Sequence, residues 1–388
     1  MRKWALELSS ILGEQVSHQA LDKKLSIRHI GFVKELFNQA IRESLGFNTF
    51  SEIEVLKKFN RVLVEDSTCV KLSKNLYYHF SGVSNGLSKS TNARIQLSID
   101  IKDCTFENVN LSTYSKNDSS FSENILNRLQ PSDLVIRDLG YWKHSTFIKI
   151  DKADCFFISK LRSNTKLYEP IDNEDFSLIE KLEELDQNKI RSFDFNCRFN
   201  TKMKKYFRIV GRKLSQEEIE TKRKKVVQSR HKDCKISPKS QYLLSWNIYI
   251  TNIEKQELTK ENIYELYRLR WHIEMIFKNW KSNFAISELL ASSVGKCPVK
   301  VEMKMYLSLL YIVMIYQPTF NSFSYHIFEK TKKILSPLKY GQYINDNIKV
   351  LIKYGCENIW DDITKHCCYD KRKDRRNYYE YRYLIKLG

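Results

Sequence analysis

The spacing of hydrophobic and polar positions along this chain changes several times, and each change marks an element. In the first 50 residues, apolar side chains recur at helical spacing through "ALELSSILGEQVSHQALDKKL" and "HIGFVKELFNQAIRESL", which predicts helices separated near Ser26. From residue 61 the period shortens. "RVLVEDSTCVKL" (61–72) runs Val62, Leu63 and Val64 straight into Asp66, the pattern of a strand ending in an acid. "ARIQLSIDI" (93–101) alternates as a second strand. "DLVIRDLGYW" (133–142) repeats the first pattern, with Leu134, Val135 and Ile136 leading to Asp138 and Gly140 breaking the strand. Three more stretches, 154–165, 204–214 and 241–252, are rich in aromatic and β-branched residues and predict strands, with a charged helix or loop over 215–233. A long apolar helix is expected at about 300–317, and the region beyond it is less regular.

Before that apolar helix comes "YRLRWHIEMIFKNWK" (267–281), which reads as one amphipathic helix with Thr259 or Asn262 available as its N-cap. At about 100° per residue, with Tyr267 set at 0°, Arg270 falls near 300°, Glu274 near 340° and Lys281 near 320°. Leu266, Leu269, Ile273, Ile276, Phe277 and Trp280 fill roughly 180° to 280°. Four polar side chains thus form a stripe along the rim of the apolar face.

Composition narrows the partner. The 388 residues suffice for two or three domains and a sizeable core, and 42% hydrophobic with 13% aromatic residues argues against general disorder. Lys and Arg number 65 against 46 Asp and Glu, a net charge of +19, which points to a polyanion, nucleic acid before membrane. The excess is uneven: residues 202–239 are dense in Lys and Arg, and "KRKDRRNYYEYRYLIK" near the C-terminus interleaves basic residues with tyrosines. Nine cysteines form no CxxC pair, and His366-Cys367-Cys368 has no partner pair at zinc-finger spacing, so thiols of a reducing cytosol are expected. "MRKWALELSS" is not a signal peptide, and "MYLSLLYIVMIY" (305–316) is too short to span a bilayer. A cytoplasmic location is expected, at the nucleoid when DNA is bound.

Asp66, Asp138 and Glu274 are the candidate chemistry. Singly, each has an ordinary explanation: Asp66 and Asp138 as turn formers, Glu274 as the helical ion-pair partner of Arg270, worth a few tenths of a kcal/mol. Together they would be the carboxylates that two Mg²⁺ ions require, since hard cations take oxygen ligands, and such ions drive phosphoryl transfer. Tyr267, Arg270 and Lys281, on the same stripe, would then hold DNA phosphates. Asp100 and Asp103 compete with Asp66 for the first position.

These residues carry a resemblance. Tyr267, Arg270, Glu274 and Lys281 match Tyr-x2-Arg-x3-Glu-x6-Lys, the YREK signature of one branch of bacterial insertion-sequence transposases with a DDE triad. "IRDLGYW…FFISKLRSNT" resembles that branch's block around the second aspartate, and "VLVEDSTCVKL" the block around the first, while "STNARIQLSID" resembles the segment following it, which favours Asp66. The resemblance covers roughly residues 15–320.

It implies an α/β (α+β) fold: an RNase H-like mixed-sheet core interrupted by a β-rich insertion, with helical terminal regions. The expected domains are a helical N-terminal region (1–55), the first part of the core (56–150), a basic β-rich insertion (151–255), the second part of the core (256–325) and a basic C-terminal region (326–388). Asp66, Asp138 and Glu274 would bind two Mg²⁺ ions, with Mn²⁺ as a substitute. A homodimer would hold terminal inverted repeats and target DNA, cutting and pasting through a hairpin. Trp246 has two readings, a core residue or a ring that stacks on an extruded base, worth about 1–3 kcal/mol. Relatives usually carry more residues before the first acid than the 65 here, so 1–55 is expected to be a shortened end-binding region. The alternatives are an inactive DNA-binding remnant and an RNase H-like nuclease without strand transfer.

Overall fold

A computed structural model describes residues 2–43, 54–84, 89–171, 174–199, 205–229, 237–291, 297–354 and 359–369. Its strands are β1 (Val62–Lys71), β2 (Ser81–Ser84), β3 (Lys89–Asp100), β4 (Thr105–Thr113), β5 (Leu134–Arg137), β6 (Phe156–Lys160), β7 (Ser192–Cys197), β8 (Phe207–Lys213) and β9 (Trp246–Thr251). The chain divides into two compact units. One comprises Met1–Ile53, Asp66–Lys116 and His272–Gly388, and the other Glu54–Glu65 and Asn117–Trp271.

The unit containing Asp138 is built on parallel strands. Val62 to Glu65 of β1 pair with Leu134 to Arg137 of β5, and β5 pairs in parallel with β6. Val62, Leu63, Val64, Leu134, Val135, Ile136, Phe157 and Ile158 are all buried, the continuous apolar run that a sheet covered on both faces demands. Beyond β6 the sheet turns antiparallel through β9, β8 and β7. Leu63, Val135, Phe147, Phe157, Leu182, Phe193 and Trp246 belong to one core.

In the unit containing Glu274, β3 pairs antiparallel with β2 and β4, and β1 adjoins β3. Helices make up the rest. Ile27–Glu43 lies against Pro298–Tyr311, with Phe37 and Tyr306 rings 5.3 Å apart and Lys34 paired with Glu302 at 2.6 Å. Parallel β1, β5 and β6 and the antiparallel β3–β4 pair make a mixed sheet. The expected mixed α/β class is therefore observed.

Several elements differ from expectation. β1 does not end at Asp66 but continues to Lys71, so Asp66 is a mid-strand residue and not a turn former. The reason is a change of partner: pairing with β5 stops at Glu65, and β1 goes on as the neighbour of β3. The 267–281 segment is two helices, Lys260–Arg268 and Trp271–Ser282. Tightened bonds from Leu269 N to Leu266 O and from Arg270 N to Tyr267 O close the first, so the wheel angles of Tyr267 and Arg270 do not carry over to Glu274 and Lys281. Thr259 caps the first helix by accepting from Asn262 N.

The apolar helix runs on through a π-helical turn at Ile312–Tyr316 into Gln317–Thr331, whose Pro318 removes a backbone donor at the junction. Helices Pro337–Tyr354 and Ile359–His366 occupy a region expected to be irregular. The tyrosine-rich tail at 371–386 and parts of the basic 202–239 stretch lie outside the described residues. No described helix is long and apolar enough to cross a membrane.

Candidate active site

The candidate residues fall into two groups, one in each unit. In the first group, Asp138 follows β5, whose four residues are all buried, and its backbone is extended (φ −77°, ψ 166°) at the start of the short helical turn Leu139–Tyr141. Leaving the strand brings its side chain to 39% exposure. Tyr267 Oη donates to Asp138 Oδ1 at 3.3 Å, and Arg270 Nε stands 4.0 Å from the same oxygen. Tyr267 is buried, and that burial, reinforced by the charge of Asp138, pushes its hydroxyl well above the ordinary tyrosine range. It is therefore a neutral donor to a carboxylate. Tyr267, expected to reach a phosphate, has its hydroxyl on Asp138 in this structure.

In the second group, Asp66, Ser67, Glu274, Phe277, Lys278, Lys281 and Ser282 line an open cleft of about 420 Å³. Asp66 Oδ1 accepts the Ser67 amide at 2.7 Å, and Ser67 Oγ accepts from Arg94 Nη1 at 3.0 Å. Glu274 sits in the first turn of Trp271–Ser282, whose inner face of Ile273, Met275, Phe277, Asn279 and Trp280 is buried. Trp280 meets Phe106 edge-on at 5.9 Å, and Asn279 Nδ2 donates to Tyr316 Oη at 2.7 Å. Gly341 permits this packing, since a Cβ there would lie 2.5 Å from Asn279 Oδ1. So a firmly seated helix presents Glu274 and two exposed lysines to the cleft.

Two features escaped the sequence reading. Lys278 lines the cleft with Lys281; four residues after Glu274, it falls near 20° on the same wheel, and the stripe should have included it. Arg137 and Glu65, both buried, form an ion pair at 2.6 Å. Seventy-two positions apart, they left no signal that a sequence without strand register could offer.

Other candidates stand elsewhere. Asp100 is buried at the end of β3, where Oδ1 accepts Lys102 N at 2.9 Å. Trp246 is 1% exposed in the core beside Phe193, with its backbone oxygen accepting from Lys222 Nζ at 2.9 Å. This burial fits the core alternative. Among the described residues, no group of three His, Cys, Asp or Glu side chains is placed to hold a metal ion.

An acid following parallel β5 in one unit and, in the other, a carboxylate-lined cleft edged by lysines point to a class. A family model described as the transposase DDE domain matches residues 57–304, and the chain belongs to that family. It is 26% identical over 376 residues to the transposase for insertion sequence element IS231F of Bacillus thuringiensis subsp. israelensis, across 92% of this chain and 76% of that one. Identity is 28% over 376 residues with the IS231E transposase of B. thuringiensis subsp. finitimus, across 92% and 77%. It is also 28% over 307 residues with the IS1151 transposase of Clostridium perfringens, across 74% and 63%. A piggyBac transposase synaptic complex with hairpin DNA is similar at 9% identity and a TM-score of 0.36, across 90% of this chain and 77% of that one, a likeness too loose to inform the site.

Membership implies use of a divalent metal ion. In kind, the donors fit: Asp66 and Glu274 offer carboxylate oxygens to one open cleft, and Asp138 keeps a part-exposed carboxylate.

Proposed function

We propose that this chain is a transposase of the YREK branch that cleaves the ends of its own insertion sequence and joins them to target DNA, with Asp66, Asp138 and Glu274 as its catalytic carboxylates. The observation that carries this reading is the register of β1 and β5. Glu65 and Arg137 are directly paired on parallel strands, and each is followed by one of the two aspartates. The cleft shared by Asp66 and Glu274 adds the third acid. When bound, two Mg²⁺ ions, or Mn²⁺ in their place, supply Lewis-acid activation of the attacking hydroxyl and stabilise the leaving oxygen.

The chain's own side chains do the rest. Tyr267 orients Asp138 by donating to it, and the Arg270 guanidinium stands 4.0 Å from the same carboxylate oxygen. Lys278 and Lys281 hold the phosphate backbone beside Glu274, and the basic 202–239 stretch and the tail add phosphate contacts without sequence preference. In this reading a homodimer holds two inverted repeats and the target duplex, at the nucleoid. Cleavage passes through nicking, a hairpin on the transposon end, its reopening and strand transfer.

The test uses duplex DNA carrying the inverted repeats that flank the gene. The purified chain should nick and join it with Mg²⁺ or Mn²⁺, and Glu274→Gln should stop cleavage while still shifting the DNA. A second reading, DNA binding without cleavage, is favoured by the lack of any three-acid group among the described residues. It predicts a shifted but uncut duplex with the wild-type chain. Cut but never rejoined products would point to a nuclease.

A further inference from the structure

We propose that the buried Glu65–Arg137 ion pair is a positioning device that fixes the register of β1 against β5 and so sets the level of the two aspartates. This rests on reading Asp66 and Asp138 as catalytic.

Arg137 is 1% exposed and Glu65 6%. Arg137 Nε and Nη2 approach the same Glu65 oxygen at 2.7 and 2.6 Å. The remaining arm, Nη1, donates to Ser122 Oγ at 3.1 Å, and Ser122 Oγ donates to the Tyr141 carbonyl at 2.8 Å. Tyr141 closes the short turn that Asp138 opens, and its ring lies 5.6 Å from the Arg137 guanidinium. The network therefore grips the chain on both sides of Asp138, at Arg137 before it and at Tyr141 after it.

Stability does not demand charges here. Apolar residues in place of a buried ion pair are often neutral or stabilising, whereas removing one partner is strongly destabilising. The rungs before the pair, Val62↔Leu134, Leu63↔Val135 and Val64↔Ile136, are apolar on both strands. Such a run specifies register weakly, because a slipped pairing still buries hydrocarbon. A slip at the next rung would leave two buried charges without each other. A one-residue slip would also move Asp66 by about 3.3 Å along β1 and turn it to the opposite face of the sheet.

The test is the double variant Glu65→Leu/Arg137→Met, followed by thermal unfolding, by the rise in melting temperature on adding Mn²⁺, and by cleavage of the flanking-repeat duplex. The expected result is a folded protein that cuts about 100-fold more slowly and gains less from Mn²⁺. A folded double variant with wild-type cleavage and the wild-type Mn²⁺ response overturns the proposal. Should the double variant not fold, Arg137→Lys decides: it keeps the charge but loses the fork. Cleavage about tenfold slower with unchanged DNA affinity supports positioning, and wild-type cleavage overturns it. Asp66→Asn and Asp138→Asn separate the two layers. If these variants cut normally, the catalytic reading fails and takes the proposal with it; if they are dead while the double variant is normal, the proposal alone fails.

Discussion

Asp138 and Glu274 sit in opposite kinds of surroundings. Asp138 is braced: a buried tyrosine donates to it, an arginine stands 4.0 Å away, and the residue before it is locked in a buried ion pair. Glu274 faces an open cleft with Asp66 and two exposed lysines, and its helix is fixed from the far side by Trp280 and Asn279. One region is preorganised by its own side chains; the other is exposed to whatever enters. Substitutions in the braced region should therefore act on stability and geometry together, and those in the cleft on chemistry or binding alone.

The sharpest break comes from Glu274→Gln. Cleavage should fall by at least about a thousandfold while the melting temperature and the DNA shift stay near wild type, as measured by gel cleavage and mobility shift. Arg137→Met should act on the other axis, removing about 3–5 kcal/mol of stability in urea unfolding, because it strands the buried Glu65 charge. Tyr267→Phe is the intermediate case: loss of one hydrogen bond to Asp138 should slow cleavage about tenfold with DNA affinity unchanged.

Lys278→Ala and Lys281→Ala should each reduce the slope of log K against log salt by about 0.9, with stability unaltered within about 0.5 kcal/mol. The smallest effect belongs to Lys222, which burial and the charge of Lys160 hold down to about 8. Unfolded, this lysine binds its proton more tightly, so stability should rise as pH climbs from about 8 toward the ordinary lysine value. Denaturant unfolding at pH 7.5 and 9.5 should show that gain in the wild type and lose it in Lys222→Met.

The pattern of the chain revealed most of the sheet, and the misses have physical causes. β1, β3, β5, β6, β8 and β9 were legible because their apolar runs or alternations are buried. β4 was not, since "TFENVNLST" carries few apolar residues and buries only Phe106 and Val109. β2 has four residues, and β7 offers only the alternation of Phe193 and Phe195. The break at Leu269–Arg270 has no Gly or Pro to announce it; two tightened backbone bonds make it. Nothing in the spacing along the chain links Glu65 to Arg137; only the register of β1 against β5 pairs them. Trp246 could not be assigned from sequence, because a buried ring and a stacking ring share the same strand pattern.

The most direct test counts Mn²⁺ ions bound by the wild-type chain on its end DNA, by electron paramagnetic resonance, alongside Asp66→Asn, Asp138→Asn and Glu274→Gln. The account predicts two ions for the wild type and a loss in each of the three variants. A wild type that binds none, or variants that all bind as the wild type does, would contradict it.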